Sequence, residues 1–561
     1  MVFNRNIWFL IILPVALVGC NTTDENKISR KDVEGAQRLL GVTFSNSEVD
    51  TLRSYLDENL QGYDSMRNVT LNYEVAPALY FDPRPDNFVP KVRTGSSDWN
   101  LPSGVVLPTT DEEIAFLTIA DLAHLIKSKQ LTSVRLTNIY LSRLKQYNDT
   151  LQATITITEE LALKQAVAAD AQLSQGIYKG PLHGIPYGIK DLFTVPGYPT
   201  TWGAAPYKAQ QFDDKAGVVQ KLEDAGAVLV AKLTSGALAR GDVWFGGKTK
   251  NPWDLKQGAS GSSAGPGSAT AAGLVAFSIG TETLGSIISP STRCGITGLR
   301  PTYGSVSRSG GMSLSWSMDK VGPMCRSAQD CAIVYSVIKG KTSEYEKDRA
   351  VVDYPFVYNP PKNLSGYKIG YFKELFDKDT TKVGTNNVAT LEKLKELGAI
   401  LVEAKLPTEK IPFDGFDIIL RSEAGAFFDE LVRVHGDREM VEQNKRSRAN
   451  SLRQSRFIPA VEYLQANRHR KILIEAFHEV IKEYDFIVSP TFGQNQSITT
   501  NLTGHPAISI PTGFDSDNHP TSITLIGNLY DERPILEAAH VFQTATDFDE
   551  KHPERFLLKF E

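Results

Sequence analysis

The sequence predicts an α/β domain, a β-sheet flanked by helices, and three observations carry the prediction. From Asp111 onward, apolar residues first repeat at helical spacing, in TIADLAHLIKSKQ and then LTNIYLSRLKQY. Short apolar runs, Ala227–Ala231 and Leu274–Ile279 among them, follow helical patterns, the order of strands with helices on their faces. Composition agrees: 41% of the 561 residues are hydrophobic and 22% charged, enough for a core and unlike a disordered or fibrous chain. With 60 Lys and Arg against 65 Asp and Glu, the net charge of −5 lacks the basic footprint of a nucleic-acid binder, so no nucleic-acid partner is expected. Four cysteines exclude a dense disulfide framework. What remains is a large, well-cored, slightly acidic protein, most simply an enzyme.

The chain opens with MVFNRNIWFLIILPVALVGC. Arg5 precedes thirteen uncharged, mostly apolar residues, Ile7–Gly19. That run is shorter than the roughly 20 residues that span a bilayer as a helix and suits the apolar region of a secretory signal. It ends in Leu17-Val18-Gly19-Cys20, which resembles a bacterial lipobox. The resemblance implies a mature chain starting at a diacylglycerol-modified Cys20. The membrane is then a partner through the lipid anchor, each buried methylene contributing about 0.8 kcal/mol. Such a lipoprotein belongs to the bacterial cell envelope, on the periplasmic or outer-membrane face. A plain signal peptide with an incidental cysteine is the alternative.

Next comes a small helical appendage. Ser45 and Glu48 have capping-box spacing, and Val49, Leu52, Leu56 and Leu60 recur at helical intervals, which predicts a helix over 45–61. Residues 82–110 hold five prolines and two glycines and read as a linker or an extended wrap. The expected division is therefore a signal over 1–20, a tether, appendage and linker over 21–110, the main domain over 111–550, and a tail over 551–561.

The stretch 258–304 is the most informative. Glycine and serine are too dense there for regular structure, yet two apolar segments interrupt them. A phosphate-binding loop needs a lysine or a G-x-G-x-x-G pattern that the stretch lacks. A nucleophile elbow, G-x-S-x-G, matches at Gly261–Gly265 and would make Ser263 the nucleophile, with His505 or His540 following in chain order.

A third reading is far more specific. Gly261-Ser262-Ser263-Ala264-Gly265, a helical Ser268–Leu274, Gly280-Thr281-Glu282-Thr283-Leu284-Gly285-Ser286-Ile287, Cys294-Gly295 and Gly298–Gly304 stand in one order. Upstream lies Gly180–Asp191, read GPLHGIPYGIKD; downstream lie Leu502–Phe514 and Ile523–Glu532. Together these resemble the amidase signature family, over roughly residues 115–545. The resemblance implies a large mixed β-sheet covered by α-helices and hydrolysis of a carboxamide C–N bond. It makes Ser286 the nucleophile, Ser262 a bridging serine on a cis peptide, and Lys190 the base. A serine hydroxyl needs a partner to take its proton, and a lysine serves only when neutral, as burial among apolar neighbours makes it. The N–H groups of Thr283, Leu284, Gly285 and Ser286 are expected to form an oxyanion hole, with Gly261, Ser263 and Glu282 as supporting residues. The substrate is a small-molecule or peptide amide, and the chemistry needs no cofactor and no metal.

The sequence departs from the family at three places. Glu282 stands where Asp is commoner. Leu284 stands where Gly is common, so its N–H serves only if the position does not require φ > 0. Ile288 replaces an arginine two residues after the nucleophile, and Arg293 is the candidate to supply that cation. Cys294 is expected in the core, and Cys325 and Cys331 as two separate core thiols. The acyl pocket is expected from loops such as Trp202–Tyr207 and Arg308–Met318. Two other functions share these motifs: a transamidosome-like glutamine amidohydrolase subunit, and a catalytically silent envelope scaffold. The oligomeric state stays open, a homodimer included.

Overall fold

The computed structural model describes residues 28–91, 94–343, 346–493 and 495–557, in two compact units that divide between Asn72 and Tyr73. Cys20 and the rest of the lipobox lie outside the described residues. Among the described residues, no helix is long and apolar enough to cross a membrane.

The first unit is a pair of helices, α1 (Arg30–Leu40) and α2 (Asn46–Arg67). Each starts at a capping box, Ser29 with Asp32 and Ser45 with Glu48, so two orphan N–H groups per helix are satisfied locally. Gly41, at φ +66°, ends α1 in the left-handed conformation that glycine adopts without penalty. The helix predicted over 45–61 forms and continues to Arg67. Val33 and Val49 are the pair's buried residues, whereas Leu60 is exposed.

The second unit begins at Tyr73, ahead of the boundary expected at Asp111. The described residues of the proline-rich stretch form no helix or strand, and aromatic side chains seat it and the residue before it. Phe81 meets Tyr303 edge-on with centroids 5.0 Å apart, and Trp99 stacks on Tyr358 at 5.7 Å. The Asp98 N–H donates to the Tyr358 carbonyl at 2.9 Å. It is an extended wrap.

Eleven strands form one mixed sheet. In chain order they are β1 (Thr154–Ile157), β2 (Pro186–Lys190), β3 (Val228–Leu233), β4 (Phe277–Glu282), β5 (Thr297–Arg300) and β6 (Lys320–Cys325). Then come β7 (Lys368–Tyr371), β8 (Ile400–Glu403), β9 (Phe486–Pro490), β10 (Ala507–Phe514) and β11 (Pro520–Gly527). The spatial order is β1-β3-β2-β4-β6-β5-β10-β11-β9-β7-β8. β2 runs parallel to both neighbours, β3 and β4, and all residues of β2 and β3 are buried. Strands covered on both faces read as continuous apolar runs, which is why Ala227–Ala231 stood out.

Five helices build or border the site: α3 (Ser133–Leu151), α4 (Ala264–Ala271), α5 (Ile288–Cys294), α6 (Asp417–Phe427) and α7 (Ala460–Ile481). α4 begins four residues before the predicted Ser268, with Pro266 in its first turn, where a missing N–H costs nothing. The segment expected as a tail returns to the core instead. Phe556 is fully buried, and its carbonyl accepts from the buried Arg143 of α3 at 2.8 Å. Arg143 also binds the carbonyls of Gly273 and Ala272, at 2.7 and 2.8 Å. Phe556→Ala is expected to cost about 3–5 kcal/mol of stability, read as a lowered urea midpoint at unchanged slope.

Candidate active site

Lys190 is the last residue of β2 and is completely buried. Its Nζ lies 2.8 Å from Ser262 Oγ, 2.8 Å from Thr281 Oγ1 and 3.0 Å from Ser263 Oγ. Burial disfavours the ammonium form and lowers the pKa to about 7, against the opposing pull of the Asp319 and Glu282 carboxylates. Ser263 is fully engaged: besides Lys190, its hydroxyl accepts from the Thr281 N–H and donates to the Thr281 carbonyl, both at 3.1 Å. The Gly261–Ser262 peptide bond is cis. A Cβ on Gly261 would lie 1.8 Å from the Gly241 carbonyl oxygen, so no other residue fits there. The Gly236 N–H holds the Ser262 carbonyl at 3.2 Å.

The second half of the site is the turn between β4 and α5. Glu282, buried at the end of β4, fixes the turn from both sides. Its Oε2 accepts the N–H groups of Ile287 and Ile288 at 2.9 and 3.0 Å. Its Oε1 accepts from Arg300 at 2.8 Å and from Asn501 at 2.9 Å. Burial alone would raise this carboxyl, but Arg300, Lys320 and the Ile288 N–H hold it down at about 2. The Thr283 hydroxyl donates to Asp319 Oδ1 at 2.5 Å, and Asp319 Oδ2 accepts the N–H groups of Leu314 and Ser315. Asp319 thereby ties the turn to the Arg308–Met318 loop.

Between these anchors, Gly285 takes φ +85°, while Leu284 is not among the residues with positive φ. The conformational demand falls on the glycine, so a leucine one position earlier is tolerated. Its side chain is 38% exposed. Among the described residues, no acceptor takes the N–H of Leu284, Gly285 or Ser286. Ser286 is 8% exposed, and its carbonyl accepts the Ser263 N–H at 3.2 Å. Its hydroxyl has no hydrogen-bond partner among the described residues. The structure therefore joins Lys190 to Ser262 side chain to side chain, and joins Ser286 to Ser263 through the main chain.

Several residues stand apart from this centre. Arg293 is exposed and donates to Gln257 at 2.5 Å, so it supplies no cation near Ser286, and Ile288 is buried. His505 is buried beside Thr503 and Phe477, and His540 lies by Tyr358. Neither bonds to Ser263, and the elbow arrangement does not form. Cys294, Cys325 and Cys331 are buried free thiols. Among the described residues, the one cluster of metal-donor side chains, Asp515, Asp517 and His519, sits at the β10–β11 hairpin turn. Trp202 is buried in an aromatic cluster with Tyr207, Phe212 and Phe428. Thr281, Asp319, Arg300 and Asn501 are site residues that the sequence reading did not assign. Thr281 and Arg300 lie inside the Gly280–Ile287 and Gly298–Gly304 motifs, whereas Asp319 and Asn501 lie outside every motif.

Known proteins share this arrangement of elements. A family model described as Amidase matches residues 135–497. The A subunit of the glutamyl-tRNA(Gln) amidotransferase of Methylobacillus flagellatus is 33% identical over 491 residues, covering 78% of this chain and 98% of that protein. The peptide amidase of Stenotrophomonas maltophilia superposes with a TM-score of 0.69 at 26% identity, over 78% of this chain and 98% of that one. The corresponding amidotransferase polypeptide of Thermotoga maritima gives 0.64 at 26% identity, over 81% and 97%. The chain belongs to the amidase family, the enzymes of the amidase signature, which act on amide carbon–nitrogen bonds.

Proposed function

We propose that the protein hydrolyses a carboxamide through an acyl-Ser286 intermediate, with Lys190 as the base and Ser262 as the relay between them. The carrying observation is the buried Lys190 amine, 2.8 Å from the Ser262 hydroxyl, with its pKa lowered to about 7. A neutral amine accepts the Ser262 proton as Ser262 takes that of Ser286. The Ser286 oxygen then bonds the amide carbon. The resulting oxyanion meets the main-chain N–H groups of the Thr283–Ser286 turn, each such donor being worth about 2.7–4 kcal/mol. The relayed proton passes to the departing nitrogen as the C–N bond breaks, because an amide anion is too basic to leave. Water repeats the cycle and frees the acid.

Protonated Lys190 cannot act as a base, so kcat/KM should rise with pH through about 7 and level off above it. The stability term has the same sign. Between about pH 7 and 10.5 the unfolded chain holds a proton that the folded chain lacks, and this group's contribution rises with pH across that window. A pH–rate profile checks the first statement. A flat profile from about pH 5.5 to 8.5 would remove Lys190 from the mechanism.

The reading is tested by turnover of an amide library together with fluorophosphonate labelling, located by mass spectrometry. Label on Ser286 and release of ammonia or amine are expected. Folded protein that neither labels nor turns over any amide would be a silent scaffold. Glutamine amidohydrolysis within a larger complex is a second reading, favoured by the names of relatives about one-third identical. Glutamine turned over in preference to every other amide would establish it. The lipobox argues for the first reading, and we propose that Cys20 anchors the protein in the envelope. Radiolabelled palmitate incorporation lost in Cys20→Ser checks the anchor.

A further inference from the structure

A cavity of about 940 Å³ lies under the extended segment Tyr73–Asp82, bounded by the Arg308–Ser317 loop, by α6 and by the start of α7. The segment is a strap held at its ends. Tyr73 donates its hydroxyl to Asp214 at 2.7 Å and packs on Phe212, with centroids 4.6 Å apart. Glu74 pairs with Lys347 at 2.7 Å. At the far end, Phe81 lies on Tyr303 and 3.5 Å from the buried Arg470 guanidinium. Between the anchors, Val75–Tyr80 are exposed. Among the described residues, no hydrogen bond takes up their main-chain N–H and C=O groups.

Two further observations point to a ligand. Ser422 Oγ, on α6 and lining the cavity, is buried without a hydrogen-bond partner. The other walls combine aromatic and aliphatic side chains, Trp316, Ile458 and Leu464 among them, with charged ones, Arg308, Asp348 and Glu423 among them. Arg308, Gly311 and Ser313 line both this cavity and the small cleft that holds Thr281 and Thr283. At this loop the cavity therefore adjoins the cleft bordered by Thr281, whose hydroxyl meets Lys190, and by Thr283. Its volume suits a ligand of several peptide units, at the upper end of ordinary small-molecule sites.

We propose that this cavity is the subsite for the peptide portion of a peptide amide. The strap Val75–Phe81 supplies main-chain hydrogen bonds in the manner of an added strand, and the wall formed by Trp316, Ile458 and Leu464 receives apolar side chains. A fatty chain would leave the strap and Ser422 without partners. The proposal names the substrate class of the amidase reading and rests on it.

The test compares kcat/KM for acetyl-Ala-Leu-Phe-amide, decanamide and propionamide on the full chain. The tripeptide amide is expected to exceed propionamide at least 100-fold and decanamide at least tenfold. Methylating the tripeptide's central backbone nitrogen should lower its kcat/KM at least fivefold. Ala426→Trp, which fills the cavity from an exposed helix position, should lower the ratio of tripeptide to propionamide turnover at least tenfold. Calorimetry on Ser286→Ala with the tripeptide amide separates the two readings. Binding weakened tenfold by the added Ala426→Trp supports the subsite even if the wild type turns over nothing, an outcome that overturns the amidase reading alone. Binding unchanged by Ala426→Trp, or decanamide preferred to the tripeptide amide, overturns the subsite while leaving amide hydrolysis standing.

Discussion

Lys190→Ala is expected to lower kcat/KM for amides by about 10³–10⁴-fold, and Ser286→Ala by about 10⁶-fold. The difference between the two is informative. Without Ser286 no acyl-enzyme forms, whereas without Lys190 the Ser262 and Thr281 hydroxyls still surround the vacated space and a water can take up part of the proton. Neither change should unfold the protein. Above about pH 8 Lys190 is a largely neutral amine, so its removal there strands no buried charge, and Ser286 uses no side-chain bond to hold the turn among the described residues. Far-ultraviolet circular dichroism should therefore match the wild type while the rate collapses. Ser262→Ala should fall with them if, as we propose, it relays the proton between the two. If Ser263→Ala abolished activity and Ser286→Ala kept it, the serine assignment would be reversed.

Glu282→Ala should act on the fold as strongly as those variants act on rate, with a loss of about 3–5 kcal/mol. Arg300, buried beside it, would lose its counter-charge. The N–H groups of Ile287 and Ile288 and the Asn501 amide would lose their acceptor at the same time. Glu282→Gln separates charge from shape: it keeps an acceptor of the same size but presents an amide to the guanidinium. An intermediate loss in urea unfolding is expected from Gln, and a stability equal to wild type in Glu282→Ala would show that the turn is held elsewhere. Because the folded-state pKa of this carboxyl is about 2, below its ordinary 4.5, its contribution is present above about pH 4.5 and is lost as pH falls toward 2.

How much of this was legible in the sequence depends on distance along the chain. Ser262, Glu282 and Ser286 lie within one short run, so the spacing of the motif fixes their relation. Lys190 stands out in the sequence because it carries its own flanking pattern, Gly180–Asp191. Asn501 and Asp319 were not found, since each meets the site through folding alone: Asn501 reaches Glu282 across 219 residues, and a lone amide or acid has no periodicity. The start of the large unit was missed for a related reason. Residues 73–110 have no repeat to read, and their order comes from Phe81 and Trp99 finding Tyr303 and Tyr358. The end was missed because a single buried phenylalanine, Phe556, decides it. Arg293 does not supply the cation considered for it, because α5 carries it to the surface, beyond a turn that points inward.

The order of strands has a consequence for how the enzyme is made. The first six strands in the chain, β1 to β6, occupy one side of the sheet, the last five occupy the other, and β5 against β10 joins them. Lys190, Ser262 and Ser286 all belong to the early side. The groups we propose to react are therefore encoded ahead of the strands β7 to β11. What the late side delivers is the fastening: Asn501 for Glu282, and Arg470 for the Ser317 end of the loop. Along the chain, the proposed chemistry is thus written first and its fastening last.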